Sequence, residues 1–121
     1  MNILPSKESL IKFLKSDHEG PLDMVNVLRF KANGRSEYEK YAEAISSFMK
    51  DFGMETIYSG DVFSTILGDD DFFHHVIIMR YPSKEKFIEF SSSERWKAIE
   101  HHRTEGLESQ WLLASKENKL A

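Results

Sequence analysis

The chain has 121 residues, no cysteine and a formal net charge of −4, and 40% of its residues are hydrophobic. This length suits a single domain that can bury a core without disulfides or metals. The lack of cysteine excludes disulfides, thiolate catalysis and cysteine-based metal sites. The negative charge argues against nucleic acid as the main partner. Because the N-terminus lacks a signal-peptide pattern and no apolar run approaches the roughly 18 residues of a membrane span, we expect a cytoplasmic protein with no membrane partner.

The first predicted element is a helix from Lys7 to about Asp17, capped by Ser6 and ended by Gly20-Pro21. It precedes the main pattern of the chain. We therefore divide the sequence into an N-terminal helical extension (1–20), an α+β domain (21–115) and a polar tail (116–121).

The domain begins with a predicted strand at Asp23–Lys31, which carries apolar residues on both faces. Ser36 and Glu39 form a capping box. The helix that follows keeps apolar residues at i, i+3, i+4 and i+7 as far as Phe52, where Gly53 ends it.

A β-rich segment, Met54–Leu67, is interrupted by Gly60, where we expect a bulge or a bend. The next strand, Phe72–Tyr81, contains four consecutive apolar residues, Val76 to Met79. Since side chains alternate between the two faces of a strand, this run predicts a central strand that is covered on both faces. Pro82 ends the strand and Ser83 can cap the next helix.

Two helical segments, from Ser83 to about Phe90 and from about Ser93 to Gly106, precede a last strand at Gln110–Ala114. The order β-α-β-β-α-β predicts a ferredoxin-like α+β fold, with the third strand between the first and second and helices on one face of a four-stranded antiparallel sheet. The other face must also be hidden, because its residues are apolar. We expect a homodimer that packs sheet against sheet with a ligand pocket between the sheets; the alternative is a cover formed by the N-terminal helix.

Five blocks of sequence resemble one family: VNVLRF at 25–30, YEKY at 38–41, IYSG at 57–60, RYPS at 80–83 and HRTEGLES at 102–109. It is a small family of uncharacterised domains in the dimeric α+β barrel superfamily, and the resemblance covers about residues 22–114. It implies a ferredoxin-like protomer and a dimer whose sheets close into a barrel. The superfamily includes cofactor-free monooxygenases, isomerases and haem-degrading enzymes, so the fold does not decide the function. The N-terminal helix departs from the family pattern.

Asn26 and Arg80 are candidate pocket residues. Asn26 lies in an apolar strand, where it either holds a ligand or bonds to backbone across the sheet; the haem-degrading relatives also have an asparagine on the first strand. Arg80 either anchors a carboxylate or forms an ion pair at the sheet edge. Arg29 should lie at the opposite end of the sheet, so the two arginines are not expected to bind one anion.

His74 and His75 are the other pocket candidates. Neighbouring strand residues point to opposite faces, so the two cannot chelate one metal and at most one lines the pocket, where it could act as a base. The alternative is a solvated side chain or a bond to an aspartate such as Asp71.

A metal site is not expected. His101 and Glu105 are four residues apart on a helix, but no third ligand is evident, which favours a solvated helix face. Arg103 is expected to pair with a carboxylate or with helix carbonyls. The third strand lacks the aromatic residues with which such sheets stack on RNA.

The sequence therefore predicts a homodimer that binds a small, partly apolar molecule through Asn26, one of His74 and His75, and Arg80, with no obligatory cofactor. The alternative is a cofactor-independent monooxygenase, an isomerase or a haem-degrading enzyme, the last with haem as its ligand. The sequence does not indicate a reaction.

Overall fold

A computed structural model of the chain describes residues 4–70 and 72–119. Its elements form one four-stranded antiparallel sheet, in the order β2-β3-β1-β4, with the helices packed on one face. The ferredoxin-like α+β prediction is confirmed, and β3 lies between β1 and β2 as expected. In chain order the elements are α1 (Lys7–Lys15), β1 (Leu22–Phe30), α2 (Arg35–Ser46), a 3-10 turn (Met49–Phe52), β2 (Glu55–Asp61), β3 (His75–Tyr81), α3 (Lys84–Ser91), α4 (Glu94–Gly106) and β4 (Leu107–Ser115).

The two faces of the sheet differ in their surroundings. On β1 the alternate residues Leu22, Met24, Leu28 and Phe30 are buried under the helices. Asp23, Val25, Val27 and Arg29 alternate with them and point away from the helices, and so do their cross-strand partners. We call this second surface the open face; its apolar side chains are those of Val25, Val27, Tyr58, Val76, Ile78, Trp111 and Leu113.

The helices begin where hydroxyl caps are available, with one exception. Ser6, Ser83 and Ser93 each accept a hydrogen bond from a backbone N–H three residues on. The predicted capping box at Ser36 is wrong, because α2 already begins at Arg35, after Gly34. A glycine stands there because this point approaches the end of α4.

The contact between α2 and α4 requires glycine on both sides. A Cβ on Gly106 would lie 2.7 Å from the carbonyl oxygen of Gly34 and 2.8 Å from the amide nitrogen of Tyr38. The carbonyl of Gly106 also accepts a hydrogen bond from Lys31 N–H at 2.9 Å. The start of α2 is thus held against the junction of α4 and β4.

The predicted helix from Ser36 to Phe52 is in fact two elements. At the end of α2, Ser46 Oγ and Ser47 Oγ each donate 2.6 Å hydrogen bonds to carbonyls of the preceding turn. Such bonds compete with the helical ladder. The chain resumes as the 3-10 turn, which keeps Phe52 in the core.

The strands β2 and β3 are shorter than predicted. β2 ends at Asp61 and β3 begins at His75, so residues 62–74 connect them. The bulge lies between Thr56 and Tyr58 rather than at Gly60, which pairs regularly with Val76. Gly60 instead makes room for the Tyr58 ring, whose hydroxyl would be 2.3 Å from a Cβ at this position.

Helix α1 does not cover the open face. Phe13 packs edge-on against Phe87 of α3 at 5.6 Å, and Lys84 Nζ donates to the Ser16 carbonyl at 2.5 Å. These contacts place α1 beside the helical layer, whereas Trp111 and Leu113 on the open face stay about half exposed. Among the described residues, no helix combines the length and the apolar character that crossing a bilayer requires.

Candidate ligand cavity

A cavity of about 190 Å³ lies inside the protomer, between the helix-facing side of the sheet and the helical layer. It is therefore on the other side of the sheet from the expected pocket between two sheets. An apolar cavity of about 150 Å³ is enough for a benzene ring, so this one suits a molecule of about one ring. Its lining is Asn26, Tyr38, Tyr41, Ala42, Ile45, Ser46, Met49, Met54, Thr56, Ser59, Ile77, Met79, Tyr81 and Phe90.

Three tyrosines are among the polar residues of the cavity wall. Tyr38 and Tyr41 come from α2 at i and i+3, and Tyr81 comes from the end of β3. Burial, the largest cause, raises the pKa of each phenol above its ordinary value of 10. All three therefore stay protonated near neutral pH and can donate hydrogen bonds to a ligand oxygen.

Trp96 of α4 orients one of these phenols. Its Nε1–H donates to the Tyr41 hydroxyl oxygen at 2.9 Å. This bond uses a lone pair of that oxygen, and the hydroxyl retains its hydrogen as a donor.

Asn26 lies on the helix-facing side of β1 and lines the cavity. Its Nδ2 donates to the carbonyls of Met24 and Ile77, both at 3.3 Å, and its Oδ1 accepts from Gln110 Nε2 at 2.7 Å. Asn26 thus both bonds to backbone across the sheet, which was the alternative to a ligand-binding role, and lines the cavity. Gln110 Oε1 also accepts a hydrogen bond from Arg103 Nη1, and Arg103 Nη2 donates to Glu100 Oε1. Arg103 therefore pairs with a carboxylate, as expected.

His75 reaches the same cavity through a neighbour. Its Nε2 lies 3.3 Å from Ser59 Oγ, a cavity-lining group, and its Nδ1 lies 2.8 Å from Asp61 Oδ1. Arg35 Nη2 donates to the same oxygen of Asp61 at 2.8 Å. These bonds, the one from Arg35 being the larger cause, lower the pKa of Asp61 below its ordinary value.

His74 has a different role. It precedes β3, so the alternation rule does not apply to it, and both histidine rings contact the ring of Phe30. Its Nδ1 accepts from Phe30 N–H at 3.0 Å, and its backbone bonds Leu28 and Val62. His74 thus holds the connection between β2 and β3 against the end of β1. The alternative bond to Asp71 lies outside the described residues.

Arg80 lies apart from the cavity, on the open-face side of the sheet. Its Nε and Nη2 donate to the two carboxylate oxygens of Asp23 at 2.7 and 3.0 Å. A third bond reaches Glu117 at 3.2 Å. The ion-pair alternative is thus present, but it lies near the ends of β1 and β3, the two central strands, and not at an edge of the sheet. Arg29 bonds Glu108 at 3.0 Å, at the opposite end of β1 as expected.

A polar cluster joins α2 and α4 on the outer surface. Glu37 accepts from Lys40 Nζ and from His102 Nδ1, both at 2.8 Å, and Glu105 lies close by. The ligand atoms of Glu37, His102 and Glu105 lie within 4.8 Å of one another. Glu37 could not be paired with His102 from sequence, because it lies 65 residues away. Lys40 takes one oxygen of this carboxylate, so we describe the cluster as an ion-pair network.

The described residues do not fit haem. The nitrogens of His75 that could serve as axial ligands are bonded to Asp61 and Ser59, and His74 Nδ1 accepts from the backbone. Neither histidine lines the cavity, whose volume suits a single ring.

Sequence reasoning missed Ser59, Asp61 and the two tyrosines Tyr38 and Tyr81. Ser59 and Asp61 share a face because they are two apart on a strand, a signal visible in the sequence. Their position beside His75 depends on the register of β2 against β3, which the sequence does not show.

The family of domains of unknown function called DUF1330 matches residues 26–116. No curated protein matches the chain. RPA0582, a protein of unknown function from Rhodopseudomonas palustris, is similar in structure with a TM-score of 0.89 and 26% identity, over 98% of both chains. This match is long enough to include α1.

Two more distant structures share the fold. A dimeric protein of unknown function from Bacteroides fragilis has a TM-score of 0.59 and 9% identity, over 79% of this chain and 95% of that one. A hydroxynitrile lyase from Passiflora edulis has a TM-score of 0.65 and 14% identity, over 84% of this chain and 96% of that one.

Proposed function

We propose that this chain, which belongs to the DUF1330 family of domains of unknown function, is a homodimer. Each protomer binds a small, partly apolar molecule in its cavity. The observation that carries the ligand proposal is the cavity of about 190 Å³, whose wall combines apolar side chains with Asn26 and three protonated phenols. Such a lining suits a ligand of one ring that carries a carbonyl or hydroxyl oxygen.

The dimer rests on the open face. Its centre is formed by Val25, Val27, Val76 and Ile78, and ion pairs flank it at both ends of β1. An apolar centre with a polar rim is typical of an interface between proteins. A second copy is the occupant that we infer, because one of the proteins that share this fold is described as dimeric.

The connection between β2 and β3 also exposes apolar side chains. Phe63, Ile66 and Leu67 are 98%, 92% and 95% exposed in the single chain. Three large apolar side chains so close together rarely stay in water. We infer that they pack on the partner copy.

The ligand proposal is tested by binding of acetophenone and benzamide, two single-ring carbonyl compounds, in calorimetry and thermal-shift measurements. We expect Tyr38→Phe and Tyr81→Phe to weaken binding by up to about 10-fold each, because they remove a hydrogen-bond donor and keep the ring. Tyr58→Phe is the matched control, since Tyr58 lies on the open face, and it should bind as the wild type does.

Equal affinity in all four proteins would contradict the proposed site. No binding of any single-ring carbonyl compound would contradict the ligand class.

An enzymatic alternative uses the same cavity. The fold also occurs in the hydroxynitrile lyase named above, and Ser59 at the cavity wall touches a histidine that is itself bonded to a carboxylate. A cofactor-independent oxygenase or isomerase would need a base in this position. Turnover of a bound carbonyl compound would favour this alternative over simple binding.

A further inference from the structure

The pairing of β2 with β3 brings a hydroxyl, an imidazole and a carboxylate together. Ser59 and Asp61 are two apart on β2 and share its helix-facing side. Asp61 lies directly opposite His75, and Ser59 lies opposite Ile77, two residues further along β3. The three side chains therefore stand next to one another on neighbouring strands.

The distances order these groups as a relay. His75 Nδ1 is 2.8 Å from Asp61 Oδ1, and His75 Nε2 is 3.3 Å from Ser59 Oγ. An ionised carboxylate can only accept, so Nδ1 carries the hydrogen in this bond. In the neutral ring Nε2 is then the acceptor, and the hydrogen between it and Ser59 comes from the hydroxyl. This is the arrangement in which an imidazole can remove the proton of a serine.

Arg35 keeps the carboxylate in its ionised form. Its Nη2 lies 2.8 Å from the same Asp61 oxygen, and the pKa of Asp61 is lowered first by this bond and then by His75. Asp61 can therefore hold the His75 ring in one tautomer and stabilise its positive charge when it takes a proton.

Ser59 is both exposed and part of the cavity wall. We propose that Ser59 is a nucleophile, with His75 as its base and Asp61 as the positioning residue, and that the chain hydrolyses small carboxylic esters of about one ring. This inference rests on the proposed function, because the cavity must hold the ester.

The reaction balances with water as the second reactant. Ser59 Oγ bonds to the ester carbonyl carbon while its proton passes to His75 Nε2. The bond from that carbon to the leaving oxygen breaks, and His75 returns the proton to the departing alcohol. Water, deprotonated by His75, then attacks the acyl carbon. The bond from that carbon to Ser59 Oγ breaks, His75 returns the proton to Ser59 Oγ, and the carboxylic acid is released.

The first test is covalent labelling by phenylmethylsulfonyl fluoride, a single-ring reagent for activated serines. The Ser59 oxygen forms a bond to sulfur, fluoride leaves and His75 takes the proton. We expect peptide mass spectrometry to find the label on Ser59. His75→Gln should slow labelling by about 100-fold, whereas Ser47→Ala, which changes an exposed serine outside the cavity, should leave it unchanged.

The second test is hydrolysis of phenyl acetate. Ser59→Ala should lower kcat/KM by about 100-fold or more. Asp61→Asn should lower kcat by about 100-fold or more with little change in KM, because Asp61 acts through His75 and touches no substrate. Circular dichroism of each variant shows whether it is folded.

The proposal is overturned if Ser59 is not labelled, if it is labelled equally fast in His75→Gln, or if hydrolysis does not depend on Ser59. Benzamide binding separates this failure from that of the proposed function. If hydrolysis does not depend on Ser59 but the Ser59→Ala variant still binds benzamide, only the proposed reaction is wrong. If the wild type does not bind benzamide, both the proposed reaction and the proposed function are wrong.

Discussion

Asn26 shows how one residue can serve both the fold and the cavity. It bonds to two backbone carbonyls and to Gln110 while its side chain lines the cavity. We expect Asn26→Ala to lower the free energy of unfolding by about 1–3 kcal/mol, because it leaves part-buried polar groups without partners. Urea unfolding followed by circular dichroism measures this loss.

Gln110→Ala provides the control for that change. Since the two side chains are bonded at 2.7 Å, the double variant should lose less stability than the sum of the single ones. Additive losses would show that the bond between Asn26 and Gln110 contributes nothing to stability.

Gly106 tests the close approach of α2 and α4. Gly106→Ala would push a Cβ against backbone atoms of Gly34 and Tyr38 that cannot move away independently. We expect the free energy of unfolding to fall by about 1–3 kcal/mol or more. Ala98→Gly, at an exposed position of the same helix, should cost about 1 kcal/mol through helix propensity alone. If Gly106→Ala leaves the free energy of unfolding unchanged or raises it, the close approach is wrong.

The sequence predicted the positions of some of these residues and not of others. Asn26 could be predicted as a polar residue in a buried strand, but not the side on which it lies, because β1 is apolar on both faces. His74 and His75 could not be told apart, since their roles depend on β3 beginning at His75. Ser59 became recognisable only through strand register.

Between elements, Glu37 links α2 to α4. Bonds from Lys40 and then His102 lower its pKa from 4.5 to about 2. A carboxyl group whose pKa is lower in the folded state stabilises the fold above its unfolded pKa, and this contribution is lost as the pH falls from about 4.5 through about 2. Glu37→Gln should therefore be less stable than the wild type at pH 6, and this difference should shrink at pH 3.

Urea unfolding at the two pH values checks this prediction. Glu43→Gln is the matched control, because Glu43 is an exposed glutamate on the same helix. A deficit of Glu37→Gln that is as large at pH 3 as at pH 6 would mean that the carboxylate charge does not link the helices.

The sequence predicted the elements better than their ends. Hydrophobic periodicity located all four strands, and the predicted serine caps Ser6 and Ser83 located two helix starts. It misplaced the start of α2, because the glycine needed against Gly106 is a tertiary requirement. It also extended β2 to Leu67, because apolar residues that lie exposed on a connection have the same pattern as a strand.

For the whole molecule, Ile78 lies near the centre of the open face, paired with Val25 and Tyr58. We expect Ile78→Asp to break the dimer into folded monomers, because a charge buried in an apolar interface without a partner is costly. Ile11→Asp is the control, since Ile11 is a similarly apolar residue on α1, 40% exposed and away from the open face. Size-exclusion chromatography should show a shift for the first variant only.

The most direct test of the account is the mass of the wild-type chain in solution, measured by light scattering at micromolar concentration. The uncovered apolar face predicts a particle of twice the 14.1 kDa chain mass. A particle of 14.1 kDa that remains stable and folded would show that the open face needs no partner, and it would contradict the account.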